Sequence, residues 1–345
     1  MNTILFVYNN PLDGSYGGSQ GTIKAFDGLK RNFNVISYSC IKKSNKFLTL
    51  LRNIYGYSGN LSRKDCIRII SILKKNKINY VFFDVSLHGR LVKKIKKRFP
   101  GKKIIVNYHN CEAQYFGDLY KTNGFIYFPI YRSAVKNEIL SKKYADFHIL
   151  ITNEDRTQLG IFNNYSIIPV TIKDYFIEQK IKKEDKPYLL FVGAAQYANI
   201  EGAKYIIDKI APHINTKVLI VGKGMKNIFS GNYENVEIFD YVNDLSQLYN
   251  GASAFISPLF YGSGAKVKVA EALMFGKKII GTPLSFFGYN ISEINCEICK
   301  SENEFISVIN TLDMSKTFYD ENRELFLKKY DSLNNEKYYS IIKTL

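Results

Sequence analysis

The residues best placed to do chemistry lie together in Ser257-Pro-Leu-Phe-Tyr-Gly-Ser-Gly-Ala-Lys-Val-Lys-Val-Ala-Glu-Ala-Leu-Met-Phe-Gly276. A buried strand should end at Ser257, a loop with Gly262, Ser263 and Gly264 should follow, and a helix should run over 267–275 to Gly276. Glycines let the backbone turn sharply and approach a ligand closely. The open N–H groups at a helix start, with the helix dipole, favour an anion such as a diphosphate. Lys266, read as lying in the first turn, sits where a cation is disfavoured unless an anion is bound beside it. Lys268 and Glu271 are three apart and share the one polar face of an otherwise apolar helix. Two readings of Lys268 stay open, a plain ion pair with Glu271 or a phosphate contact. For Glu271 a ligand role is the stronger reading, because a carboxylate there can accept hydrogen bonds from both ribose hydroxyls, as acidic residues do in dinucleotide domains.

Such a loop has to be held by parallel α/β layers, and the chain reads that way throughout. Short apolar runs alternate with helical stretches. Strands are predicted at 4–8, 35–38, 80–85, 103–106, 147–151 and 166–169, and the pattern restarts at 188–193, 218–222, 236–239, 253–257 and 278–281. Helices are predicted at 20–31, 61–75, 88–98, 131–143, 200–210, 245–249 and 267–275. Glu178–Lys186, charged and followed by Pro187, breaks both patterns and reads as the linker. A length of 345 residues fits two domains. The expected fold is α/β, two Rossmann-like doubly wound domains facing a central cleft. Residues 1–175 form the first, 187–314 the second, and a helical tail, 315–345, is expected to pack back on the first.

The segment 262–282 resembles the donor-binding signature of the family 4 glycosyltransferases, which have the GT-B fold. Leu189-Leu-Phe-Val-Gly193 with Asn199-Ile-Glu-Gly202, Val218-Leu-Ile-Val-Gly222, and Phe239-Asp-Tyr-Val-Asn-Asp-Leu-Ser-Gln-Leu-Tyr249 resemble further segments of that family, in order and at suitable spacing. The resemblance implies a nucleotide-sugar donor site built from Gly193, Tyr241, Val242, Gly262, Ser263, Gly264, Ala265, Lys266, Lys268 and Glu271. Glu271 would hold the ribose, Lys266 the diphosphate, and backbone around Tyr241 and Val242 the base. In the first half, Gly17-Gly18 resembles the glycine loop that approaches the donor phosphate and acceptor; an ordinary helix-start turn is the alternative. Asn107-Tyr-His-Asn110 resembles the place where the family puts a histidine beside the transferred sugar. His109 and Lys266 are therefore the candidate catalytic residues, and a structural histidine is the other reading of His109. One departure matters: where many members carry a glutamate eight positions before the ribose-binding one, this chain has Ser263. The family's usual Arg and Lys after the first strand of the second domain are also absent. The implied chemistry is metal-independent transfer with retained configuration, no cofactor being needed beyond the donor substrate. Positive groups aimed at the leaving diphosphate would supply much of the catalysis.

Charge and composition narrow the partners. Residues 1–180 carry 29 Lys and Arg against 12 Asp and Glu, whereas 181–345 carry 19 of each. Only the first half should therefore meet an anionic surface or polyanion. The basic helix 88–99, with Leu91, Val92 and Ile95 on one side, and the aromatic run from Tyr115 to Tyr131 fit a membrane surface; a solvated basic helix with the aromatics in the core is the other reading. A cytoplasmic protein, peripheral at the inner face of the plasma membrane and acting on a saccharide or lipid-linked saccharide in surface polysaccharide synthesis, is the expectation. No nucleic-acid motif accompanies the charge, although nucleic-acid binding by the basic half stays as one rival and a sugar-nucleotide epimerase of the same fold as another. Five scattered cysteines make neither a disulfide framework nor, with one Cys296-x-x-Cys299 pair, a zinc site.

Overall fold

Among the described residues twelve strands, all in parallel pairs, fall into two sheets of six. The computed structural model describes residues 2–13, 17–41, 46–177, 187–242, 244–262 and 264–345. The expected linker 178–186 and Ser263 lie outside them. Two units result, one of residues 1–169 with 333–345, the other of residues 170–332.

In the first unit the strands are β1 (Thr3–Tyr8), β2 (Asn34–Ser39), β3 (Tyr80–Phe83), β4 (Lys103–Tyr108), β5 (Phe147–Leu150) and β6 (Tyr165–Ile167), in the order β2-β1-β3-β4-β5-β6. Helices cover both faces, so successive side chains of a strand alternate between two apolar layers. Leu5 and Val7 join Val81 and Phe83 on one side, and Ile4 and Phe6 join Phe82 on the other. That double burial is why these strands read as continuous apolar runs rather than alternating ones.

The second unit repeats the plan with β7 (Tyr188–Val192), β8 (Lys217–Val221), β9 (Val236–Phe239), β10 (Ala252–Ser257), β11 (Lys278–Gly281) and β12 (Cys296–Ile298), ordered β12-β11-β10-β7-β8-β9. Both orders reverse next to the first strand, between β1 and β3 and between β7 and β10. Ligands of doubly wound sheets bind at such switch points, beyond the carboxyl ends of the strands. β12 went unpredicted, being three residues with a glutamate in the middle, too short to show a period.

The tail divides. Helix Asn335–Ser340 packs on helix Gly17–Asn32 within the first unit, with Tyr339 fully buried and Asn32 Nδ2 donating to Glu336 O at 2.9 Å. Gly28 is what admits the ring, since a Cβ there would lie 2.3 Å from it. Residues 315–332, expected in the tail, instead belong to the second unit. There Arg323 grips Asp174 through two hydrogen bonds, 2.6 and 3.0 Å, and Asn322 Nδ2 donates to Lys277 O at 2.7 Å.

Lys277 is buried and donates to three backbone carbonyls, those of Asn250, Ala252 and Thr317, tying the start of β10 to the chain near Thr317. Lys277→Met keeps the stem and removes the ammonium, leaving three buried acceptors unpaired. A stability loss of about 2 kcal/mol is expected, read from the denaturant midpoint of the second unit.

Candidate functional site

In the second unit the site grows from the switch point. Gly193 ends β7, and a Cβ on Gly222, just past β8, would lie 1.7 Å from Gly193 O, so the two backbones touch there. The chain then turns through Ala194, held by Asn199 Nδ2 donating to Ala194 O at 2.8 Å, into helix Tyr197–Tyr205. Beside that helix start stands the second loop. Gly262 and Gly264 have φ of 109° and 71°, the left-handed region that suits glycine, and Gly262 comes within 4.0 Å of Ala198 by its virtual Cβ. Tyr197 and Tyr261 pack ring against ring across the two loops, centroids 5.0 Å apart. The loops from β7 and β10 are thus brought together as a switch-point ligand site requires.

Lys266 is the N-cap of helix Val267–Met274 with extended backbone, not a first-turn residue as expected. Its Nζ donates to Gly264 O at 3.0 Å, folding the side chain back over the glycine loop, and its carbonyl accepts from Tyr289 Oη at 2.8 Å. A lysine cannot cap a helix start with an acceptor, and the first-turn N–H groups here have no side-chain cap. Ala265 is half-buried and packs on the apolar core. The local geometry combines a cation, glycine backbone and uncapped amides, an arrangement that attracts a phosphate.

The ion pair foreseen for Lys268 forms. Its Nζ lies 2.8 and 2.7 Å from the two oxygens of Glu271. Glu271 is buried, 8% exposed, and also accepts from Tyr249 Oη at 3.1 Å. Tyr249 is held by stacking on Phe275, centroids 4.8 Å apart and planes within 5°, and burial raises its hydroxyl well above the usual tyrosine range. Tyr249 therefore acts as donor only. A carboxylate has roughly four lone-pair positions, so three protein contacts leave room for a ribose hydroxyl. Val242 packs on the core while Tyr241 is 76% exposed, which leaves backbone rather than the Tyr241 ring as the built part of that segment.

A second cluster, in the first unit, gathers at its own switch point. Asp84 directly follows β3 and is fully buried. It accepts from Thr22 Oγ1 and from Asn107 Nδ2 at 3.1 Å, and lies 3.2 Å from His109 Nε2. That last approach is off the hydrogen-bond line, so it works as charge attraction, and Nε2 keeps no in-line acceptor among the described residues. Burial alone would pull the His109 pKa down. The charge and proximity of Asp84 outweigh it, and the net movement is upward. Behind them Lys24 is buried with its ammonium on the carbonyls of Ile168 and Pro169, and burial lowers it to about 8 against the pull of Asp84. Glu112, beside His109, is raised to about 7, first by burial.

Gly17 and Gly18 open helix Gly17–Asn32, and Gly18 O accepts from Thr22 Oγ1 at 3.0 Å. Asn10, after β1, donates to Thr22 Oγ1 at 3.1 Å, so helix start, β1 end and Asp84 form one network. Sequence reading missed Asp84, Thr22 and Gly21. The available signal for Asp84 was a lone acid closing the apolar run Tyr-Val-Phe-Phe. Gly21 matters because a Cβ there would lie 2.7 Å from the His109 ring. Gly21→Ala should therefore push the imidazole off Asp84, costing about 1–3 kcal/mol of stability. An NMR titration should then show His109 losing its upward shift.

The membrane argument from helix Gly89–Arg98 needs correction. Leu91, Val92 and Ile95 are fully buried in the first unit's core, and Lys96 pairs with Asp146 at 2.6 Å. That helix has no apolar face left for lipid. The aromatic run fares differently. Tyr120 stacks on Tyr131, while Phe125, Ile126 and Phe128 are exposed. No helix among the described residues is long and apolar enough to cross a membrane.

Residues 186–312 match the family model described as "Glycosyl transferases group 1". No curated protein matches the chain. Among solved structures, the apo form of the lipopolysaccharide outer core galactosyltransferase WaaB aligns at a TM-score of 0.65 and 14% identity, covering 99% of this chain and 100% of that one. A glycosyltransferase from Rickettsia africae ESF-5 aligns at 0.66 and 15% identity over 99% and 97%. Anabaena HepE in complex with UDP aligns at 0.69 and 11% identity over 100% of both chains. Identities this low speak for the shared fold, and the family match covers the unit that carries Gly193, the glycine loop and Glu271.

Proposed function

We propose that the chain, which has the GT-B fold and whose residues 186–312 match the group 1 glycosyl transferase model, is a glycosyltransferase that moves a sugar from a uridine diphosphate donor to a lipid-linked saccharide. The observation that carries the donor half is the Gly262–Lys266 loop ending in an uncapped helix whose polar face presents Glu271. The choice of uridine leans on HepE, which has been crystallised with UDP and with UDP-glucose. Lys266 and the helix amides would take the diphosphate, Glu271 the ribose, and the Asp84–His109 pair would act on the sugar. Ser263 offers no carboxylate, so no covalent sugar–enzyme bond is proposed at that position. Transfer with retention, without a metal, follows from the family resemblance. The basic first unit and its exposed aromatics at 125–128 favour an acceptor presented at an anionic membrane, as in surface polysaccharide assembly.

A thermal-shift series with UDP-, GDP- and ADP-sugars tests the donor, since a ligand that binds the folded state raises the melting point. A shift with UDP-sugars alone supports the reading; no shift with any nucleotide overturns it. Donor turnover in the absence of acceptor, with the sugar isomerised, would favour the epimerase instead.

A further inference from the structure

The first unit holds a cavity that the donor chemistry does not use. It has a volume of about 520 Å³ and is lined by Leu48, Leu51, Arg52, Tyr57, Arg63 and Arg90 among others, with no acidic side chain. Three helices and a turn build it: helix Lys46–Ile54, the turn that follows, and the starts of helices Arg63–Lys75 and Gly89–Arg98. Arg90 is pre-set. Its guanidinium stands over the Tyr57 ring, 5.8 Å from the centroid, and donates to Tyr55 O. Gly56, at φ 75°, makes the turn possible, and a Cβ there would lie 2.8 Å from the guanidinium carbon.

The charges are uncompensated. Among the described residues no carboxylate pairs with Arg52, Arg63 or Arg90. Asp65, two positions after Arg63, is buried and taken up by Ser62 N at 2.8 Å, Ser62 Oγ and Tyr38 Oη at 2.9 Å. Three guanidiniums around one hollow repel each other and are stabilised by an anion, and planar arginine forks suit phosphate oxygens. The same hollow has an apolar side. Leu48 and Leu51 line it, and Phe47 and Ile54 of the same helix are 67% and 59% exposed. Outside the hollow itself, the turn between Tyr57 and Ser62 runs toward the end of β1, since a Cβ on Gly59 would lie 3.1 Å from Asn9, just past β1, and 2.9 Å from His88.

We propose that this cavity seats the phosphate of an alkyl-linked acceptor, with Arg52, Arg63 and Arg90 on the phosphate oxygens and the first carbons of the chain on Leu48 and Leu51. The proposal rests on the reading of a lipid-linked acceptor and assigns its phosphate a place. The test uses the full-length chain, octyl phosphate below its micelle concentration, octyl glucoside, inorganic phosphate and phosphatidylglycerol vesicles. Octyl phosphate should bind at least about tenfold tighter than inorganic phosphate, and octyl glucoside should not compete. The double variant Arg52→Gln/Arg63→Gln, which spares the structural Arg90, should lose octyl phosphate affinity at least about tenfold with an unchanged circular dichroism spectrum. UDP affinity should stay within about twofold. Equal octyl phosphate binding by variant and wild type overturns the site, as does equal binding of octyl glucoside. Binding to vesicles but not to monomeric octyl phosphate also overturns it, since the arginines would then read surface charge rather than one phosphate. Failure of UDP to bind in the same samples would sink the transferase reading while leaving the alkyl phosphate result standing.

Discussion

Glu271→Gln should lower UDP-sugar affinity by at least about 100-fold, near 2.7 kcal/mol, while the second unit stays folded. Glutamine is the right change because it keeps an acceptor for Tyr249 Oη and the same volume in a buried place. What it removes is the charge and one of two acceptor oxygens, the features a ribose hydroxyl donating to Glu271 needs. Lys268 loses its partner as well, yet the lysine side chain is 38% exposed to solvent. Loss of the pair should cost under about 1 kcal/mol of stability. Calorimetric titration with UDP and a melting curve separate the two effects. A melting point that drops while UDP affinity holds would show that Glu271 serves only its ion pair. Glu271→Ala is less informative, since it strands Tyr249 and Lys268 together.

His109→Ala should reduce turnover about 1000-fold with donor affinity nearly unchanged, the middle of the range for a positioned acid–base group. Asp84→Asn is the companion change. It keeps the volume and an acceptor for one of Thr22 and Asn107, which donate to different oxygens of Asp84, and withdraws the charge that raises His109. Without it burial governs, and the imidazole should titrate at lower pH. The linkage follows in sign. A histidine raised in the folded state adds stability that is fully present below its unfolded pKa and is lost as pH rises through the folded one. Asp84→Asn should therefore flatten that fall on the alkaline side of about 6.5. It should also move the pH–rate profile toward acid, which a merely structural carboxylate would not do. An unmoved profile, with turnover simply reduced, would make Asp84 a packing residue.

The sequence alone settled what depends on local order. Short apolar runs announced eleven of the twelve strands among the described residues, the central ones most plainly, because a parallel sheet between helices leaves them no solvated face. The glycine loop, its helix and the Lys268–Glu271 pair were legible for the same reason: backbone conformation and a three-residue helical spacing are local properties. Tertiary structure decided the rest. Asp84 and His109 are 25 positions apart, and only the pairing of β3 with β4 sets them side by side. Gly21 and Gly28 look like ordinary helix glycines until the His109 and Tyr339 rings are placed against them. Leu91, Val92 and Ile95 gave an amphipathic pattern that a membrane or a core would serve equally, and the core claimed them. The arginine cavity joins three elements spread over some forty residues, and no periodicity connects its walls. Local pattern fixes which elements form; which side chains then share a site is settled by the packing of elements distant in sequence, through loop closures that leave no local trace.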